Sequence, residues 1–140
     1  MKQRLRAILH SYSDILFLHN RTIGSILIVA TMLNPDVGIA GIISILAAYA
    51  FARFIEMGDT FLETGYYTYN PLLVGLSIGS MFEISPLTVF FIVTSSIFTF
   101  ILTVSMSNIF FHFFKLPVLS LPFGIVSSMV YFASSQFSNL

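Results

Sequence analysis

The sequence predicts an all-α integral membrane protein, with one re-entrant half-helix followed by five transmembrane helices. Three observations predict it. Hydrophobic residues make up 56% of the chain and charged residues 9%, against roughly 25% charged in an ordinary soluble domain. Mean hydropathy is +0.93. The apolar residues also fall into six stretches, separated by short breaks that carry turn signals: "NPD" at Asn34 to Asp36, "EMGDT" at Glu56 to Thr60, "ISP" at Ile84 to Pro86 and "KLP" at Lys115 to Pro117.

The first stretch, Ala7 to Leu18, is too short and too polar to cross about 30 Å of hydrocarbon. It suits a half-helix buried in protein, where broken backbone is tolerated at membrane depth. Its basic opening does not make it a signal peptide, because His10, Ser11, Ser13 and Asp14 interrupt the apolar run and no small-residue cleavage site follows. Five spans come next, at Thr22 to Leu33, Val37 to Ile55, Asn70 to Ile84, Pro86 to Met106 and Val118 to Ala133. The first and third of these are short for a bilayer, so they need protein neighbours, local thinning or wider boundaries.

Small residues recur four apart in the second span, at Ala40, Ser44, Ala48 and Ala52, and again at Gly75 and Gly79 in the third. Such faces read as packing seams, since close backbone approach drives helix association in lipid. Thr88, Ser95, Thr99 and Thr103 share a face of the fourth span, where hydroxyls bonded back to their own helix or across to another explain them without a solute path.

The six basic and six acidic residues cancel, which points to no nucleic-acid partner. Their placement sets orientation. With Lys2, Arg4, Arg6 and Arg21 before the first full span, five spans put Arg53 and Lys115 on the same side and none opposite. That bias predicts a cytoplasmic N-terminus in a plasma or inner membrane. The absence of cysteine removes disulfides, thiolate metal sites and thiol nucleophiles. Ser120 has no positioned base, Asp36, Asp59 and Glu63 are expected in loops, and no phosphate-binding glycine loop or cofactor motif is present. The chain reads as a non-enzyme without a cofactor. His10, His19 and His112 lack ligand spacing, so no metal site is expected.

Four ordered blocks carry a resemblance: "SYSDILFLHN" at Ser11 to Asn20, "LNPDVGIAGIISILAA" at Leu33 to Ala48, "TGYYTYNPLLVGLSIG" at Thr64 to Gly79 and "LPVLSLPF" at Leu116 to Phe123. Together they resemble the first half of a urea transporter. The resemblance implies one repeat, residues 1–140, of a fold in which two inverted repeats, each with five membrane helices and one re-entrant helix, enclose a continuous pore. It implies channel-like, passive passage of urea or closely related small neutral amides.

Site residues carry over singly. By resemblance, Phe17 and Tyr69 match two rings facing each other across a flat slot, Leu73 an apolar pore residue one turn on, and Ser120 the hydroxyl at the constriction, within a signature formed by Leu116, Pro117, Pro122 and Phe123. The chemistry is coherent: a planar, edge-polar solute fits between aromatic faces, and oxygens along the slot replace its lost water. Pro117 and Pro122 either free backbone carbonyls to line a path or simply begin the fifth membrane helix.

This sequence departs from the family pattern at three places. Ser120 stands where threonine is usual and Tyr69 where phenylalanine is frequent, and Asp14 falls at the family's polar filter position in the pore, three residues before the slot ring, where glutamine or glutamate is expected. A carboxylate at that depth requires protonation or a partner; the alternative places Asp14 at the membrane surface as a helix cap.

A pore between inverted repeats needs a second copy, and only one set of blocks is present. The charge bias opposes antiparallel self-assembly. The expected partners are therefore urea, the lipid bilayer and a complementary second-half chain or an oligomer. The alternative is a non-transporting membrane scaffold, assembly subunit or transporter remnant.

Overall fold

Prolines and side-chain caps set where helices begin. The computed structural model describes residues 2–58 and 64–137. Within them lie α1 (Lys2–Asp14), α2 (Arg21–Met32), α3 (Pro35–Phe54), α4 (Tyr69–Met81), α5 (Pro86–Phe114) and α6 (Leu121–Phe137), with no strand among the described residues. Asn20 Oδ1 accepts from the Thr22 N–H at 3.0 Å and starts α2. Ser85 Oγ accepts from the Thr88 N–H at 3.1 Å and starts α5. Pro35 and Pro86 occupy first-turn positions, where a missing N–H costs nothing.

Several boundaries differ from the sequence expectation, each for a local reason. The Pro86 helix continues past Met106 to Phe114, because no glycine or proline intervenes until Lys115 turns left-handed at φ 51° and Pro117 follows. The last helix begins at Leu121 instead of Val118, after a left-handed Leu119 at φ 50°. Pro122 therefore sits in the first turn of α6, where a proline that begins a helix is tolerated. Asp36 lies in the first turn of α3 and accepts from the Ile84 N–H at 3.4 Å, so it is not a loop residue. Asp59 and Glu63 fall outside the described residues.

Two helices, α3 and α5, are long and apolar enough to cross a bilayer unaided. The 13-residue α4 is about 20 Å long, and it lies buried against α3, α5 and α6 with an edge on α1. The predicted small-residue seam accounts for that burial. A Cβ on Gly75 would lie 2.7 Å from the Ala40 carbonyl and closer still to Ser44, and one on Gly79 would lie 2.6 Å from Ala40 Cβ. Only glycine permits this α3–α4 approach. Ser44, buried in the seam, donates to the Pro71 carbonyl and stands 2.9 Å from Ser96 Oγ of α5.

Three apolar clusters complete the packing. Ala40, Val74, Ile78, Ile92, Val126 and Val130 join α3 through α6; Ala48 and Ala52 meet Phe100; and Tyr12, Ile45 and Leu72 tie α1 to α3 and α4. The hydroxyl face of α5 divides. Thr99 and Thr103 are buried and donate to the carbonyls of Ser95 and Thr99, at 2.6 and 2.7 Å. Thr88 instead belongs to the helix start, donating to the Glu83 carbonyl at 2.9 Å.

α1 and α2 form a hairpin, with Gly24 against the Leu9 backbone. Its turn carries Arg21, about 18 Å of helix away from Lys2. Arg21 lies beside the end of α1, whereas Lys2, Arg4 and Arg6 occupy its beginning.

Candidate functional site

The segment 64–70 is a hub that ties the end of α1 to the "LPVLSLPF" turn. Gly65 holds φ 70°, and a Cβ there would lie 2.6 Å from Asp14 Oδ2 and 2.9 Å from the backbone of His10 and Ser11. Both the conformation and the contact require glycine. Three residues beyond Gly65, the Thr68 hydroxyl pairs with that of Ser11 and also donates to the Gly65 carbonyl at 3.1 Å.

On its other side the hub holds the turn. Tyr66 Oη accepts from the Val118 N–H at 3.3 Å, and Asn70 Nδ2 donates to the Leu119 carbonyl at 3.0 Å. Pro117 keeps Leu116 extended, and residues 115–118 adopt no helix. The chain then turns at Leu119 and enters α6. Two ordinary side chains near this hub, Phe17 at φ 55° and Leu119 at φ 50°, occupy the left-handed region, which costs each roughly 1–2 kcal/mol. Strain of this kind persists only where surroundings over-determine it.

Phe17 and Tyr69 come together as the sequence expects, with ring centroids 6.3 Å apart. Their planes meet at 67°, edge to face, so the two rings touch each other and do not form the parallel-walled slot expected. Tyr69 is buried at the head of α4, and Tyr66 continues the aromatic row at 6.3 Å and 61°. Phe17 is 63% exposed. Leu73, one turn along α4 from Tyr69, is half-buried.

Asp14 ends α1 and is only 4% exposed, so it is not an exposed cap at a helix start. Its Oδ1 lies 3.0 Å from Nδ1 of His19, and neither carboxylate oxygen has a hydrogen-bond partner of good geometry among the described residues. His10 and His19, nine apart in sequence, bring their rings within 6.2 Å of each other. Even so, no group of three metal-ligating side chains occurs among the described residues.

Ser120 is exposed and lines a shallow groove of about 690 Å³ with Gly124, Ile125, Ser128 and Phe132. The groove does not reach Phe17, Tyr69 or Leu73. Ser120 is linked to them through its neighbour Leu119 and Asn70. Sequence reasoning missed Gly65, Tyr66, Thr68 and Asn70, although all four stand in the quoted block "TGYYTYNP". The available signal was a glycine and a polar amide packed among aromatics next to a proline.

Two helices long and apolar enough to cross a bilayer, with polar and aromatic side chains gathered where shorter helices begin and end, fit a membrane-embedded helical protein. The chain belongs to the urea transporter family, whose family model matches residues 5–140. Proteins of this family are membrane-embedded channels or transporters of urea and not enzymes. No curated protein matches the chain.

Proposed function

We propose that this chain supplies one half of a passive, channel-like path for urea, or closely related small neutral amides, and that a second half-repeat completes it. The observation that carries the reading is the joined set of Phe17, Tyr69, Asn70, Leu119 and Ser120. Exposed Phe17 stands at one end and exposed Leu119 and Ser120 at the other, with Tyr69 and Asn70 buried between them. A facing repeat would cover both. Its contact would also draw the Phe17 ring from its edge-to-face rest on Tyr69, admitting a flat solute between aromatic walls.

In this reading Leu73 keeps the next turn of the path apolar, and Ser120 replaces part of the solute's lost hydration. Asp14, paired with His19, holds the carrier turn of Phe17. A neutral solute requires weak, replaceable hydrogen bonds in place of a charged partner. The unused face of α6 points to the same partner: a Cβ on Gly124 meets nothing within 4 Å, unlike those on the buried glycines of α4. The site belongs in a plasma or inner membrane, with Lys115 on the cytoplasmic side.

The test is entry of radiolabelled urea into proteoliposomes that contain this chain and a second-half chain. Phe17→Ala and Tyr69→Ala should each change the rate or the preference for urea over acetamide. Unchanged rate and preference in both variants would remove the aromatic pair from the path.

A further inference from the structure

A second cavity, about 900 Å³, lies at the Lys115 end of α5, away from the Ser120 groove. It is walled by Ser107, Asn108, Phe111, His112 and Lys115 of that helix end, and by Tyr66 and Leu116 opposite. Its depth in the membrane follows from helix length. The 29 residues of α5 extend about 44 Å, and fitting them inside about 30 Å of hydrocarbon by tilt alone needs roughly 47°, beyond the usual range. Pro86 to Met106 suffices to cover the hydrocarbon, which leaves Ser107 to Phe114 at headgroup level. Exposed Phe111, Phe113 and Phe114 there are followed by exposed Lys115, which sets a cation beside apolar surface at this end of the helix.

The polar groups of this cavity ask for an acceptor. Ser107 is 7% exposed, and its hydroxyl has no partner among the described residues. Lys115 is the one lysine or arginine in the lining. Its position past the last turn offsets the negative end of α5 that would otherwise repel an anion. Exposed Phe111 and Leu116 flank the opening with apolar surface.

The geometry points to a binding site for an anionic phospholipid headgroup, seated between Lys115, Asn108 and Ser107 with its acyl chains along Phe111 and Leu116. The phosphate accepts from the Lys115 ammonium, the Asn108 amide and the Ser107 hydroxyl, and His112 at the rim can donate as well. Through Tyr66, which holds the Val118 N–H, the lipid stands one side chain away from the signature turn. This inference is independent of urea passage, because lipid retention is read without flux.

The experiment is native mass spectrometry of the detergent-purified full chain titrated with phosphatidylglycerol, phosphatidylcholine or inorganic phosphate. One lysine at a membrane surface supports a preference of about fivefold for the anionic lipid. Lys115→Gln should abolish the preference, Ser107→Ala should reduce it, and Lys115→Arg should keep it, with helix content by circular dichroism unchanged. Equal retention of the two lipids by the unmodified chain would overturn the site without recourse to any variant. A preference that survives Lys115→Gln would do the same, and displacement of phosphatidylglycerol by inorganic phosphate alone would mean a free-phosphate site in place of a lipid one.

Discussion

The side-chain amide of Asn70 donates to the Leu119 carbonyl at 3.0 Å across 49 residues of sequence. This bond joins the head of α4, where Tyr69 sits, to the turn that presents Ser120. Asn70 is fully buried, so replacing it leaves the Leu119 carbonyl without its donor. Asn70→Ala is expected to cost about 1–3 kcal/mol, measured by reversible denaturation in mixed micelles. Amide exchange should rise first at residues 118–121.

Gly65 is a stricter position. Alanine there meets an unfavourable φ together with contact to Asp14 and to the α1 backbone. Gly65→Ala should destabilise the chain by at least about 2 kcal/mol, and the same denaturation experiment measures it. Loss should be smaller in the double variant Gly65→Ala with Asp14→Ala, because the carboxylate is the nearest of the three contacts.

The glycines of α4 and α6 should behave oppositely. Gly75→Ala pushes into Ser44 and the Ala40 carbonyl and is expected to lower stability by about 1–3 kcal/mol. Gly124→Ala enters open space and should leave the isolated chain unchanged or slightly more stable, since alanine favours helix over glycine by about 1 kcal/mol. Gly124→Leu, by contrast, should weaken association with a second-half chain, as read by co-purification.

Hydroxyls separate by role. Ser120→Val should stop urea permeation while the protein remains inserted and folded, because the exposed hydroxyl has no packing duty. Thr99→Val should leave flux nearly unchanged, since Thr99 only bonds back to the Ser95 carbonyl inside the bundle. Paired flux and stability measurements check this, and equal flux loss at both positions would assign Ser120 to packing.

How much of this was legible in the sequence depended on the range of the interaction. The α3–α4 seam could be read from Ala40, Ser44, Gly75 and Gly79, because a four-residue spacing is a property of one helix and its neighbour. The pairing of Phe17 with Tyr69 followed from the resemblance, but their 67° angle did not, since ring orientation is set by what surrounds both. The helix end at Phe114 and the helix start at Leu121 carry no sequence signal, because Lys115 and Leu119, not glycines, adopt the left-handed turns there. The Asp14–His19 contact and the Asn70–Leu119 bond join segments through a folded loop, and no periodicity announces them.

The central claim is that this chain forms half of a urea path. Stopped-flow light scattering on proteoliposomes in an inward urea gradient, with this chain alone and with a second-half chain, tests it most directly. The account predicts rapid urea entry only when both chains are present, and its loss with Ser120→Val. Entry no faster than through protein-free vesicles when both chains are inserted would contradict it and leave a packing scaffold, while full flux from this chain alone would contradict the need for a second half.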